Sequence, residues 1–342
     1  MKIFGFLTII MTFTFTFVNG LHDGCNVVAT IIASRSSSPK KALWIAALAE
    51  FIGPIVLGTS VAATVASVIK VDGAIVQDKM SLILLFFSAV VGAILWDMFT
   101  WWKSIPSSSS HALIGGLLGG GIIAYGFEAV NWDVFLFKVI LVLFTSPIIG
   151  FVVGFIFLKI VTAITRDLHP RVNNYLKNIQ YISMIALGMS HGSNDAQKSM
   201  GIVASVLLVL GYTNSFTIPL WVVLMSSFMI SMGLALGGWR LIKAVGKGIF
   251  NIKPIHSFSS QLASASTIIV ASIIGGPVST TQIVNSSVMG VGMAERKNAV
   301  RWSNIKSILV SWILTIPAAG LVSAVVFFLV KIIILGGGNN GI

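Results

Sequence analysis

Gly20-Leu21-His22-Asp23 and Gly192-Ser193-Asn194-Asp195 are two short polar stretches, each set inside a long apolar run. A second pair repeats the relation: Pro106-Ser107-Ser108-Ser109-Ser110-His111 and Pro277-Val278-Ser279-Thr280-Thr281-Gln282. The first pair is offset by 172 residues and the second by 171. Two polar motifs recurring in one order at nearly one offset point to an internal duplication.

Apolar runs surround these motifs. Between charged or turn-rich breaks they give segments 3–34 (interrupted near 19–26), 42–69, 81–102, 107–127 and 134–160. Five more follow: 179–210 (interrupted near 190–198), 217–239, 257–275, 279–294 and 307–333. A span needs about 20 apolar residues, so ten crossings with short loops are expected. Residues 1–160 would form a first transmembrane repeat and 179–334 a second. A cytoplasmic loop, 161–178, joins them, and 335–342 is a flexible tail. The expected fold class is an all-α polytopic membrane protein with interrupted helices.

Composition agrees. The chain has 342 residues, 56% hydrophobic and 9% charged, with a mean hydropathy of +0.96. A soluble domain carries roughly 25% charged residues, so lipid must be the solvent for most of this one. Lys2 followed by Ile3–Val18 resembles a signal peptide, but no small-residue cleavage pattern follows it, and the run is read as the first span. The lone Cys25 excludes an intrachain disulfide framework.

Five segments per half is an odd number, so the second half enters from the opposite side. With the amino terminus outside, 16 of the 22 lysines and arginines fall in inner loops. That bias sets orientation, with both termini outside, and it accounts for the net charge of +12 better than nucleic-acid binding does. Inverted repeats of this kind are typical of secondary transporters.

Asp23 and Asp195 stand at membrane depth, where a carboxylate costs at least about 2.5 kcal/mol. Such a group needs a cation, a proton or a water-filled cavity as partner. The glycines and amides beside them (Gly20, Gly24, Asn26; Gly192, Asn194, Gln197) would loosen the helix and turn carbonyl oxygens toward a small hard cation. Each aspartate is therefore read as a cation or proton position, with these amides beside it. The competing reading is a pair of polar turns at the membrane face.

Ser107, Ser108, Ser109 and Ser110 follow one proline, and Ser279, Thr280 and Thr281 follow another. Proline then serine or threonine starts helices. A helix start offers unpaired N–H groups, the positive end of the dipole and hydroxyl donors. Two of them face to face would enclose a tetrahedral oxyanion; plain N-capping is the alternative. His111 and Gln282, at equivalent places, either donate to the anion or pack the turn. His22 either pairs with Asp23 or titrates. Lys198, where the first half has Asn26, either reaches back one helical turn to Asp195, contacts the anion, or snorkels to the inner face. Asp97 is either buried with a partner or at the inner boundary, with Trp101 and Trp102 as aromatic anchors; Glu50 is a similar lone acid, and both rank below the aspartate pair.

These residues resemble the inorganic phosphate transporter (PiT) family. The matching stretches run from Asn19 through Pro39, from Pro106 to Gly115, from Ser190 to Lys198 and from Gly276 to Thr281, in the family's order. The resemblance implies an inverted-repeat phosphate carrier, a homodimer, driven by sodium or by protons. It places Asp23, Asn26 and Asp195 at cation positions and lines the phosphate site with Ser107–Ser110 and Ser279–Thr281. Family members often carry Asn-Asp in both halves; here His22 precedes Asp23, and Lys198 stands where an asparagine is usual. A fixed ammonium at Lys198 would replace a bound cation.

The expected function is import of inorganic phosphate across the cell membrane by symport with a cation, sodium ahead of proton. Neither a further cofactor or metal nor a nucleic-acid partner is expected. Sulfate or a metal–phosphate complex is the runner-up cargo, and a passive channel is a rival. A membrane-embedded phosphatase would need a nucleophile, a base and usually a metal cluster, of which only the adjacent Ser110 and His111 are visible.

Overall fold

A computed structural model describes residues 1–70, 78–103, 105, 107–167, 169, 172–248, 251–296 and 302–336. Pro106, Arg171, Lys297 and Arg301, which entered the motif and orientation arguments, lie outside the described residues. The described chain is helical, apart from an isolated bridge between Ile69 and Val130. In order the helices are α1 (Lys2–Asp23), α2 (Cys25–Ala33), α3 (Pro39–Val56), α4 (Ser60–Ala66), α5 (Lys79–Lys103) and α6 (Ser109–Tyr125). There follow α7 (Leu141–Thr165, entered through a π-helical stretch Val134–Ile140), α8 (Val172–Leu210), α9 (Leu220–Gly248), α10 (Pro254–Ile273), α11 (Thr280–Glu295) and α12 (Trp302–Gly336).

Five helical stretches among the described residues are long and apolar enough to cross a bilayer: α1 with α2, α5, α7 with its π-helical lead, α9 and α12. The α3–α4 pair, bent by 76°, makes a sixth. That is fewer than the ten crossings expected. The shortfall has a physical cause: α6 and α11 have 17 and 16 residues, under the span length, while α8 and α10 are interleaved with serines, amides and charges.

The outer surface is apolar, and the interior carries many buried polar side chains among its apolar ones, unlike a soluble protein. Trp44, Ile148 and Leu321 are 72%, 66% and 70% exposed. Inside, Thr8, Thr12 and Thr16 of α1 each return a hydroxyl to the carbonyl four residues earlier, at 2.8, 2.7 and 2.9 Å. Buried hydroxyls are thus satisfied without leaving the helix. The motif-bearing parts of α6, α8 and α11 are buried among the other helices. α6 packs on α5 and α12, α11 on α7 and α10, and α8 on α3, α10 and α1.

Three expectations need correction. The stretch near 190–198 is not interrupted; α8 runs through it unbroken for 39 residues. Its polar side chains find partners on neighbouring helices, so the backbone keeps its own bonds. Near 19–26 the break is confined to Gly24, which keeps right-handed helical angles and donates its N–H to Gly20 O at 3.1 Å. The segment 42–69 is not one run but the bent pair α3 and α4. Helix α7 runs to Thr165 and α8 begins at Val172. α12 extends to Gly336, and residues 337–342 of the tail lie outside the described residues.

The motif glycines have a different role from the one expected. A Cβ on Gly20 would overlap the Ile230 carbonyl of α9, and one on Gly192 would overlap the Glu50 carbonyl of α3. They permit close helix approach, as small residues do between membrane helices. Gly192→Val should push α8 off α3 and destabilise the protein by about 1–3 kcal/mol, the range for overpacking a filled interface. The unfolding midpoint in detergent measures it.

Candidate functional site

The two polar motif pairs meet in the interior. α6 and α11 begin close to each other, and α1 and α8 pass beside their first turns. Ser108 caps α6: it sits in extended backbone and its Oγ accepts from His111 N at 3.3 Å. Ser279 caps α11 in the same way, accepting from Gln282 N at 3.4 Å. His111 Nε2 and Gln282 Nε2 are 3.4 Å apart, so the two helix starts are joined. With the amide as donor there, the imidazole proton lies on Nδ1, 2.8 Å from Ser108 Oγ. Ser108 Oγ then accepts twice, and Ser279 Oγ accepts once. Among the described residues, neither serine's own O–H has an acceptor.

Asp23 and Asp195 are each held by a threonine from the first turn of α11. Thr281 donates to Asp23 Oδ1 at 2.8 Å and accepts from Asn26 Nδ2 at 2.9 Å. His22 Nδ1 lies 2.8 Å from the same Asp23 oxygen. Thr280 donates to Asp195 Oδ2 at 3.0 Å. Asp195 Oδ1 takes the Lys198 ammonium, which also donates to Ser110 Oγ and, at 2.9 Å, to Val278 O. Asp23, Asp195 and Lys198 are 2%, 1% and 1% exposed. A surface ion pair contributes little, but charges this deep persist only with their partners.

Other sequence-derived candidates lie at the edge of this cluster. Ser107 Oγ lies 3.0 Å from Thr315 of α12 and accepts from Trp96 Nε1 at 3.1 Å, tying α6 to its neighbours. Ser109 is fully buried and faces Asp97 of α5. Asn194 is engaged by the end of α10 and the turn that follows it: its amide donates to Ser272 Oγ and Gly276 O at 2.8 and 3.2 Å, and its Oδ1 accepts from Val278 N at 3.3 Å.

Two residues escaped the sequence reading. His191 of α8 lies one turn before Asp195, its Nε2 3.5 Å from Asp195 Oδ2 and its Nδ1 2.8 Å from Glu50 Oε1 of α3. Asn19 occupies the corresponding place in α1, fully buried, with neither side-chain polar atom bonded. The signal was present: each stands four residues before its aspartate, on one helical face. Among the described residues no group of three or more His, Cys, Asp or Glu is placed to hold a metal ion.

Comparison with known proteins bears on what this cluster serves. The family model described as the phosphate transporter family matches residues 19–323. A protein of Bacillus subtilis (strain 168), described as a probable low-affinity inorganic phosphate transporter, is 37% identical over 96% of this chain and 97% of its own length. One from Rhizobium meliloti (strain 1021) with the same description is 40% identical over 92% of each. A solved structure, "The sodium-dependent phosphate transporter", superposes with a TM-score of 0.89 at 25% identity, covering 97% of this chain and all of that one.

Proposed function

The chain belongs to the phosphate transporter family, and on that premise we propose that it is a secondary carrier that imports inorganic phosphate by symport with a cation, sodium ahead of proton. It is a transporter and not an enzyme, embedded in the membrane through several apolar helices. The observation that carries the carrier reading is the pair of joined helix starts, each capped by a serine whose O–H remains to be given. Phosphate binds there, between Ser108 and Ser279, with Ser107, Ser109, Ser110, Thr280, Thr281, His111 and Gln282 around it.

The cation sites are Asp23 with Asn26 and Asp195 with Asn194 and the Lys198 ammonium. Thr281 links cargo and cation. Its hydroxyl proton is held by Asp23, and a cation on that carboxylate weakens the hold. The hydroxyl then turns to the anion, so cation and phosphate favour each other's binding. Reciprocity of this kind is required of any coupled pair of sites.

The architecture proposed is two inverted repeats, residues 1–160 and 179–334, that rock about the site. Its support is the matched packing: α6 on α5 and α12 is answered by α11 on α10 and α7, and α1 on α9 by α8 on α3. The basic-residue bias supports both termini outside, in the cell membrane. Association as a homodimer follows from the family resemblance.

Radiolabelled phosphate uptake into proteoliposomes tests the reading. Uptake should follow an inward sodium gradient and resist excess sulfate across the pH range in which phosphate titrates. Uptake indifferent to both sodium and proton gradients would make the protein a channel.

A further inference from the structure

We propose that Lys198 is a built-in cation, seated on Asp195 as an exchangeable sodium ion is seated on Asp23, so that each phosphate travels with a single sodium. The inference takes its cation positions from the carrier reading above and adds a division of labour between them.

Positions related by the 172-residue offset differ in one consistent way. Asp195 has a basic residue on each side along its helix face: His191 four residues before and Lys198 three residues after. Asp23 has amides at the same two places, Asn19 and Asn26. The ammonium of Lys198 has three protons and meets three oxygens: the Asp195 carboxylate, the Ser110 hydroxyl and the Val278 carbonyl. A carboxylate, a hydroxyl and a backbone carbonyl form an oxygen set of the kind a small hard cation takes. The side chain is 1% exposed, so it does not snorkel to an aqueous face. His191 is held from the other side by Glu50, which fixes it beside Asp195.

Among the described residues no ammonium is present around Asp23; its ion-pair partner is the imidazole of His22, 2.8 Å from Oδ1. Asn26 points its nitrogen at Thr281. Asn19 keeps both polar atoms unpaired in a fully buried position, one turn from the carboxylate. An unpaired buried amide calls for an explanation, and its carbonyl oxygen is a ligand for sodium. The first half thus offers neutral oxygen donors and one negative charge, while the second half has already neutralised its own.

Binding of ²²Na to the purified chain in lipid nanodiscs tests this. The parent should show a single saturable site, absent in Asp23→Asn. Lys198→Asn, which restores the amide found at Asn26, should add a second, and in proteoliposomes it should raise the ratio of sodium to phosphate carried. A parent chain that binds no sodium, or more than one ion, overturns the proposal whatever the variant does. So does a folded Lys198→Asn protein with an unchanged count. A single sodium site without sodium-driven phosphate uptake would instead defeat the carrier reading and leave standing only the assignment of Lys198 as the cation on Asp195.

Discussion

Asp195→Ala should destabilise the protein by about 3–5 kcal/mol, the usual consequence of leaving one member of a buried ion pair without its partner. The Lys198 ammonium would keep Ser110 and Val278 O but lose its only negative oxygen. Thr280, which donates to the other Asp195 oxygen, would lose its acceptor as well. Thermal unfolding in detergent gives the size of the effect. The double variant Asp195→Leu with Lys198→Met removes both charges at once and should regain most of the loss, because an apolar pair of similar volume often replaces a buried ion pair with little penalty. A double variant no more stable than Asp195→Ala would show that the charge pair is not what holds α8 against α6 and α11.

Asp23→Asn should reduce cation-driven phosphate uptake to the level of protein-free liposomes while leaving the fold intact. The asparagine keeps an oxygen for Thr281 and a neighbour for His22, so the hydrogen-bonded geometry survives. What it removes is the charge that draws a cation to the first half. Without that cation Thr281 has no partner to release it toward the anion, and binding and coupling fail together. Insertion is checked by the elution profile of the purified variant and uptake with labelled phosphate. Normal uptake by a properly folded Asp23→Asn protein would remove Asp23 from the mechanism.

Much of this was legible in the sequence because it is local. Hydropathy located the long apolar helices, and the polar stretches at 20–23 and 192–195 mark the carboxylates that the interior encloses. The cap positions were also readable: Ser108 and Ser279 follow rules that involve only the next three residues. What was not legible is long-range. Thr281 reaching Asp23 joins residues 258 apart, and Ser110 meeting Lys198 joins residues 88 apart. No pattern within a helix reports them. The glycines misled for the same reason. Gly192 reads as a point of weakness within its own helix, yet its role is set by the Glu50 carbonyl of a different one. Likewise the polarity of residues 190–198 suggested unwinding, because a local reading cannot count the partners that α3, α6 and α10 supply.

The unbroken course of α8 has a mechanical consequence. At a rise of 1.5 Å per residue its 39 residues span about 58 Å, nearly twice the hydrocarbon thickness of a bilayer. Asp195 and Lys198 sit well along this rod, about 35 Å from its beginning at Val172 by the same rise. A stiff rod does not absorb a change at one point by bending there. A small pivot imposed near Lys198 by ligand binding would be delivered, enlarged, at the Val172 end. A rotation of about 5° would move that end by roughly 3 Å, the size of a contact made or broken. The same continuity that keeps the backbone hydrogen bonds therefore makes α8 a lever arm, with the cluster as its fulcrum and its Val172 end as its tip.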